Sequence, residues 1–403
     1  CGLRKTLDSR GITVRLSHTA EIWTNASGGA RRGTTLGSLI QAGITLDTEK
    51  SGLWPGGTIQ VNALHVGGRF PSADLLGNLQ TVTSIEARRG AYLSEAWVEQ
   101  ALPGKRGSLR IGQLRVDTEF LASSYTEEEG YANASALFTN ATFGFPVLAA
   151  LALPAGGPAY PLGTPGGRLK LALGGPVSML VGAFNGTPVA SPFTFRGSLL
   201  LMAELQAAHS QEVDAPGLPG TYRLGAWHHT AHFADQRFDP KGRSLADPLA
   251  TGVARGFRGN SGAYLTADQL LWQTGTLRAE SLGVFSRILA APADRNSVDL
   301  QVNGGMTWKG MLPSRPDDAA GLGISWARIG SAARGLDRDT ILFGGGPLPV
   351  RSSETVIEAT YQITLAGWWQ VQPSVQFIKR PGGGVADPLR PRRSLRDAWI
   401  TGV

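Results

Sequence analysis

The chain has 403 residues and a formal net charge of +7, with 42% apolar and only 17% charged residues, below the roughly 25% charged of ordinary soluble chains. No stretch approaches the ~18 uninterrupted apolar residues of a membrane-crossing helix; the longest, 147–153, stops at Pro154, which excludes a helical membrane protein. Cys1 is the single cysteine, excluding an internal disulfide and any multi-cysteine metal site, and the positive charge comes without a helix-turn-helix, zinc or stacking motif, so no nucleic-acid partner is expected.

"CGLRKTLDSRG" lacks the apolar core of a secretory signal, so the chain is expected to be mature or trimmed. A short helix is predicted over 3–9, closed by Gly11, so that 1–10 form an N-terminal helical segment. From there period-two alternation takes over. "ITVRLSHTAEI" places Ile12, Val14, Leu16, Ala20 and Ile22 on one face and Thr13, Arg15, Ser17 and Glu21 on the other. Strand segments follow at 39–48, 58–63, 91–100, 107–116, 166–173, 177–185, 198–208, 221–230 and 261–272. They continue at 281–289, 297–310, 320–329, 354–365, 368–377 and 394–403, about sixteen segments with no linker between them. Candidate turns fall at 53–57, 102–107, 173–176 and 364–369, and candidate long loops at 117–165, 232–259 and 329–353.

The chemistry of the two faces sets the fold class. In "SVDLQVNGGMTWKG" the polar face carries Asp299, Gln301, Asn303, Thr307 and Lys309, and the apolar face Leu300, Val302, Met306 and Trp308. The polar faces are rich in Gln, Asn, Thr and Ser rather than Lys and Glu, as suits a confined, water-filled bore. The apolar faces carry Trp308, Trp326, Tyr361, Trp369 and Phe377, as aromatic girdles would. A closed barrel is the β structure that leaves no backbone group unsatisfied in hydrocarbon. The expectation is one all-β domain over 1–403, an antiparallel transmembrane barrel of about sixteen strands with long extracellular loops. The rival is a large soluble sandwich or propeller, in which the same apolar face would be sealed in a core.

Several stretches resemble the carbohydrate-selective porin family, often called OprB. They are "SGLWPGG" (51–57), "GQLRVDTEF" (112–120), "NATFGFP" (140–146), "LPAGGPAYPLGTPGGRLKL" (153–171) and "FNG" (184–186). They continue with "LPGTYRLGAWHH" (218–229), "DQLLW" (268–272), "RPDDAAGLGISWARI" (315–329) and "ETVIEATYQ" (354–362). The resemblance implies a sixteen-stranded barrel in the outer membrane of a Gram-negative bacterium. It also implies passive diffusion of glucose and related sugars into the periplasm. The chain ends on "AWITGV" rather than on an aromatic residue, so Val403 is expected to mark a trimmed end and Cys1 to lie inside a longer mature chain. A lipidated Cys1 is the alternative.

A sugar pore must replace hydration hydrogen bonds without holding its cargo, so millimolar binding, on the order of 4 kcal/mol, is expected. Alternation nominates Glu95, Trp97 and Glu99 on one inward face, with Arg110, Arg168, Lys170, Arg223, Trp227 and Arg287 from other strands. Gln113, Asp117 and Glu119 stand at the mouth of the 117–165 loop, which is expected to fold inward as the constriction. Glu95, Glu99 and Arg110 would equally serve as a structural ion-pair ladder across neighbouring strands. His228, His229 and His232 read as a rim-exposed group, because a strand sends adjacent residues to opposite faces. No metal, cofactor or catalytic group is expected. The partners are sugars and outer-membrane lipid, with the chain as a monomer or a homotrimer. Two alternatives remain at this point: a general, anion-leaning porin without a sugar site, and a barrel serving an envelope assembly.

Overall fold

The computed structural model describes residues 2–123, 137–189, 191–195, 197–210, 216–274 and 280–403. Cys1, on which lipidation was considered, lies outside them. After helix α1 (Gly2–Ser9) come β1 (Ile12–Gly29), β2 (Gly33–Asp47), β3 (Gly57–Gly68), β4 (Gly90–Ala101) and β5 (Gly107–Leu114). Next are helix α2 (Val147–Ala152), β6 (Thr164–Gly174), β7 (Val177–Asn185), β8 (Leu199–His209), β9 (Gly220–Ala234) and β10 (Gly256–Thr274). The chain continues through β11 (Glu280–Ala290), β12 (Val298–Lys309), β13 (Ala319–Ile329), helix α3 (Ser331–Gly344) and β14 (Ser353–Ala366). It closes with β15, made of Trp369–Val371 and Ser374–Lys379, and β16 (Arg396–Gly402).

Seventeen hydrogen-bonded segments form the sheet, and the two halves of β15 count as one strand, leaving sixteen. The break falls at Pro373, which has no N–H to give the ladder. Each strand pairs antiparallel with its sequence neighbours, and β1 closes the ring by pairing β2 from Ile12↔Leu46 and β16 from Trp23↔Gly402. The barrel is closed and has no edge.

The faces are inverted relative to a soluble core. On β12, Gln301 and Asn303 are 0% and 1% exposed, whereas Met306 and Trp308 are 42% and 41% exposed. Val14, Leu16 and Ile22 on β1 and Ile357 on β14 likewise face outward, and Trp369 stands exposed at the short-turn end. Such an exterior is stable only against hydrocarbon, with aromatics at the interfaces. Toward the long-loop end of β15 and β16, Phe377 and Trp399 meet at 4.8 Å between ring centroids.

The connections divide by end. One end carries 48–56, 102–106, 175–176, 310–318 and 367–368 together with α1. The other carries 69–89, 115–163, 186–198, 235–255, 330–352 and 380–395, the end that faces the exterior in outer-membrane barrels. Where the sequence reads 329–353 as irregular, Ser331–Gly344 is helical, stopping at Gly345 with φ of 69° in the left-handed region. Its charges and glycine masked the helical period.

Much of the bore is filled from above. Residues 137–152 run along the inner wall from β15 across to β10, anchored near the long-loop ends of those strands. Asn260 on β10 donates to Ala152 O at 2.9 Å, and Arg287 on β11 donates to Gly144 O at 2.7 Å. Leu148 N donates to Gln301 Oε1 on β12 at 2.9 Å, and Asn140 Nδ2 to Gln376 Oε1 on β15 at 2.9 Å. Phe138 and Phe143 pack with Phe285 over Gly321 and Gly323 of β13, where a Cβ on Gly323 would sit 2.7 Å from the Phe143 ring. Those glycines are the floor that admits the two rings.

Candidate pore and its lining

Among the described residues, a cavity of about 460 Å3 lies against the β1–β6 wall. Thr13 and Arg15 of β1, Thr45 of β2 and Gln60 of β3 line one side; Glu95, Trp97 and Glu99 of β4, Ser108 and Arg110 of β5 and Arg168 and Lys170 of β6 line the other. Thr118 and Glu119 reach in from the 115–163 loop. Strand geometry explains the convergence: residues directly opposite in an antiparallel pair share a face, and Glu99 stands opposite Arg110, which stands opposite Arg168.

These three form a charge lattice with Glu119. Arg110 Nε donates to Glu99 Oε2 at 2.6 Å, and its Nη1 lies 3.5 Å from Glu119 Oε2. Arg168 Nε donates to Glu119 Oε2 at 2.7 Å, its Nη2 to Glu99 Oε2 at 3.2 Å, and its Nη1 to Ser108 Oγ at 2.6 Å. Buried charges survive only when so paired and hydrogen-bonded. Arg110 also lies over the Trp97 ring, 3.8 Å from its centroid. The lattice thereby ties the inserted loop residue Glu119 to three strands of the wall. Its fixed charges, with Arg15 and Lys170, set a field across the passage.

Of the residues nominated from sequence, Glu95, Trp97, Glu99, Arg110, Glu119, Arg168 and Lys170 meet at this cavity. Glu99 and Arg110 form an ion pair across β4 and β5, as the structural-ladder alternative for that pair expects. Gln113 is not brought there. It lies opposite Ala96 and Pro165 on the outward side, where it donates to Leu93 O and accepts from Phe193 N at 2.9 Å. Asp117 is buried in an ion pair with Arg115 and accepts from Tyr160 N at 3.1 Å.

Arg223, Trp227 and Arg287 face inward on the opposite wall. Arg223 Nη1 donates to Asp268 Oδ2 at 2.6 Å, Trp227 packs with Tyr264 and Leu148, and Arg287 donates to Leu121 O at 2.9 Å. They hold the filled half of the bore rather than line the opening. Sequence reasoning passed over Thr13, Arg15, Thr45, Gln60, Ser108 and Thr118, although all but Thr118 sit on strands whose alternation gives their side. Of the three histidines, His229 is buried and hydrogen-bonds Gly186 O at 2.9 Å, while His228 faces outward beside Ser261. Among the described residues no group of His, Cys, Asp and Glu is placed to hold a metal ion.

A closed barrel with an apolar exterior, a charge-lined cavity within and loops folded into its bore is an outer-membrane diffusion porin. Residues 31–403 match the family described as "Carbohydrate-selective porin, OprB family", and the chain belongs to it. It is 25% identical to Porin B of Pseudomonas aeruginosa over 410 residues, 95% of this chain and 86% of that protein. Its fold is similar to the high-pH structure of Pseudomonas putida OprB, with a TM-score of 0.86 at 20% identity, covering 100% of this chain and 95% of that one. Against the low-pH structure of the same protein the TM-score is 0.57 at 15% identity, with the same coverage. The protein is thus a carbohydrate-selective porin of the outer membrane.

Proposed function

We propose that glucose and related mono- and short oligosaccharides cross through the β1–β6 passage, and that Trp97 with the Glu99–Arg110–Glu119–Arg168 lattice is where they are recognised. The carrying observation is the pairing of an aromatic ring with bidentate charged groups in one cavity. A pyranose offers apolar ring faces to the first and vicinal hydroxyls to the second. The lining cations Arg15, Arg110, Arg168 and Lys170 face the carboxylates Glu95, Glu99 and Glu119, a near balance that suits a neutral polar solute. The same arrangement argues against hydrolysis. Glu99 and Glu119 are each tied to arginine in the lattice, so neither stands free as one of the two carboxyl groups a glycosidase uses.

The passage is built within one chain, so it conducts per protomer, alone or in a homotrimer, with acyl chains on the outer wall. Single-channel recording in planar bilayers tests the reading. Glucose or maltooligosaccharides added to KCl should reduce the current in a saturable way, with a millimolar constant. Unblocked current together with a strong anion preference would instead mark a general porin, and a closed lumen in liposome swelling would mark an assembly component.

A further inference from the structure

Several arginines of the long loops are spent on carboxylates. Arg255 holds Asp235 at 2.6 Å, Arg237 holds Asp339 at 2.7 Å, and Arg295 and Arg351 hold Asp294 and Asp337 at 2.8 Å each. The corner above β1, β2, β15 and β16 differs. Arg32, Lys379, Arg390, Arg392, Arg393 and Arg396 are all exposed there, and among the described residues none of these side chains makes an ion pair or a hydrogen bond. Residues 379–397 carry six cations against two carboxylates, Asp387 and Asp397. Both carboxylates bond backbone instead, Asp387 Oδ1 accepting from Leu389 N at 2.9 Å and Asp397 Oδ1 from Arg380 N at 2.8 Å.

The cluster stands just beyond the lipid-facing wall. Phe377 and Trp399 lie opposite each other on the outward face, and Lys379 follows Phe377 by two positions on that same face. Arg396 pairs with Gly29, beside the β1–β2 turn that carries Arg32. Between β15 and β16 rises a two-stranded ribbon, Ala386–Asp387 with Arg390–Ser394, whose second strand is exposed throughout. The other side of the segment is packed on the protein. Pro381–Gly384 are buried, Gly382 N donates to Glu354 Oε2 at 2.7 Å, and Leu395 is buried beside Gly77. The exposed arginines are thus left on the side away from the bore, and none of them lines the β1–β6 cavity.

We infer that this corner binds the phosphate groups of the outer leaflet's glycolipid. A phosphomonoester offers three acceptor oxygens, and a guanidinium meets two of them with parallel N–H groups. Aromatic residues mark the level at which acyl chains give way to headgroups. Cations that follow Phe377 and flank Trp399 lie at the height of those phosphates. Like charges left together repel in the bare protein, and bound phosphate relieves that repulsion. The inference is independent of the sugar reading, because the bore takes no part in it.

The test uses the full chain, folded in detergent, with fluorescent lipid A carrying both phosphates as the probe. Arg390→Gln, Arg392→Gln, Arg393→Gln and Arg396→Gln together should weaken binding about tenfold or more. The barrel should stay heat-modifiable, since these side chains hold nothing in the fold. Should the fourfold variant fail to fold, Arg392→Gln with Arg393→Gln on the ribbon serves, with a loss of about threefold. Removing charge at the opposite end, by Arg4→Gln, Lys5→Gln and Arg10→Gln in and after α1, should leave binding as in the parent. Dephosphorylated lipid A should bind the parent no better than the fourfold variant. Equal affinity in parent and arginine variant overturns the inference, and so does an equal loss in the α1 control, which would make net charge the cause. Displacement of the lipid by millimolar inorganic phosphate also overturns it, as a site for free anions. A changed anion preference of the channel with unchanged lipid binding would do the same, by assigning the cations to the pore mouth.

Discussion

The guanidinium of Arg110 lies 3.8 Å above the centre of the Trp97 ring while its Nε donates to Glu99 Oε2 at 2.6 Å. One cation thus holds the aromatic surface and the carboxylate in a fixed relation at the wall of the cavity. Replacing the ring removes a cation–π contact of about 1 kcal/mol and, on the proposed reading, the aromatic part of the sugar site. Trp97→Ala should weaken glucose block roughly fivefold, since 1.4 kcal/mol is a factor of ten, and Trp97→Phe should retain most of it. Block constants from current titrations check this; equal constants in parent and alanine variant would remove Trp97 from recognition.

Glu119 is the loop's contribution to the charge lattice, bound by both Arg110 and Arg168. Its neutralisation leaves the passage with Arg15, Arg110, Arg168 and Lys170 against Glu95 and Glu99. Glu119→Gln should shift the permeability ratio toward anions by a factor of about three to ten, given local potentials of a few kT. The zero-current potential in a KCl gradient reads the shift. Arg168→Gln should move it the opposite way, toward cations. High salt should blunt both changes, because the Debye length shrinks to ~3 Å at 1 M.

The barrel was legible because membrane strands state their faces twice, once in alternation and once in the kind of polar residue they turn inward. Gln301 and Asn303 against Met306 and Trp308 show this on a single strand. Arg15 and Gln60 were equally readable from alternation, and only the number of polar inward positions hid which ones border water. Gln113 was misplaced for a different reason. A side chain buried on the outward side, under the 186–198 loop, looks in sequence like a lumen residue. The filling of the bore could not be read at all. Thr139 and Glu358 are 219 positions apart, and Asn140 and Gln376 are 236 apart. Neither pairing leaves a local periodic trace, and the glycines beneath Phe138 and Phe143 have no pattern until the rings are seen above them.

Those glycines carry their own test. A methyl group on Gly323 would lie 2.7 Å from Phe143 Cζ and 2.9 Å from Phe138 Cε1, too close for either ring to stay. Gly323→Ala should therefore cost about 1–3 kcal/mol through overpacking. It should lower the temperature at which the folded barrel converts to the unfolded band on a heated gel. Gly323→Ala combined with Phe143→Leu should recover part of the loss by making room. An unshifted transition in the single variant would show that the rings are not seated on β13.

The 69–89 loop offers a pH readout at a carboxyl outside the spanning strands, on which Glu21 of β1 also acts. Burial pushes the Glu86 carboxyl up from 4.5 to about 7, against the opposing pull of hydrogen bonds from Ser72 and Ala73. The folded loop therefore binds this proton more tightly than the unfolded chain does. The stability Glu86 contributes is full below about pH 4.5, declines as pH rises toward 7, and is gone above it, where the buried group must be ionised. Amide exchange over 69–89, corrected for the intrinsic pH dependence of exchange, should show protection falling across that window and flat beyond it. Glu86→Gln, which cannot ionise, should abolish the slope while keeping the acid-side protection. A slope that survives in Glu86→Gln would assign the pH response to another group. One that rises with pH in the parent would mean the ionised carboxylate is the better partner for Ser72 and Ala73.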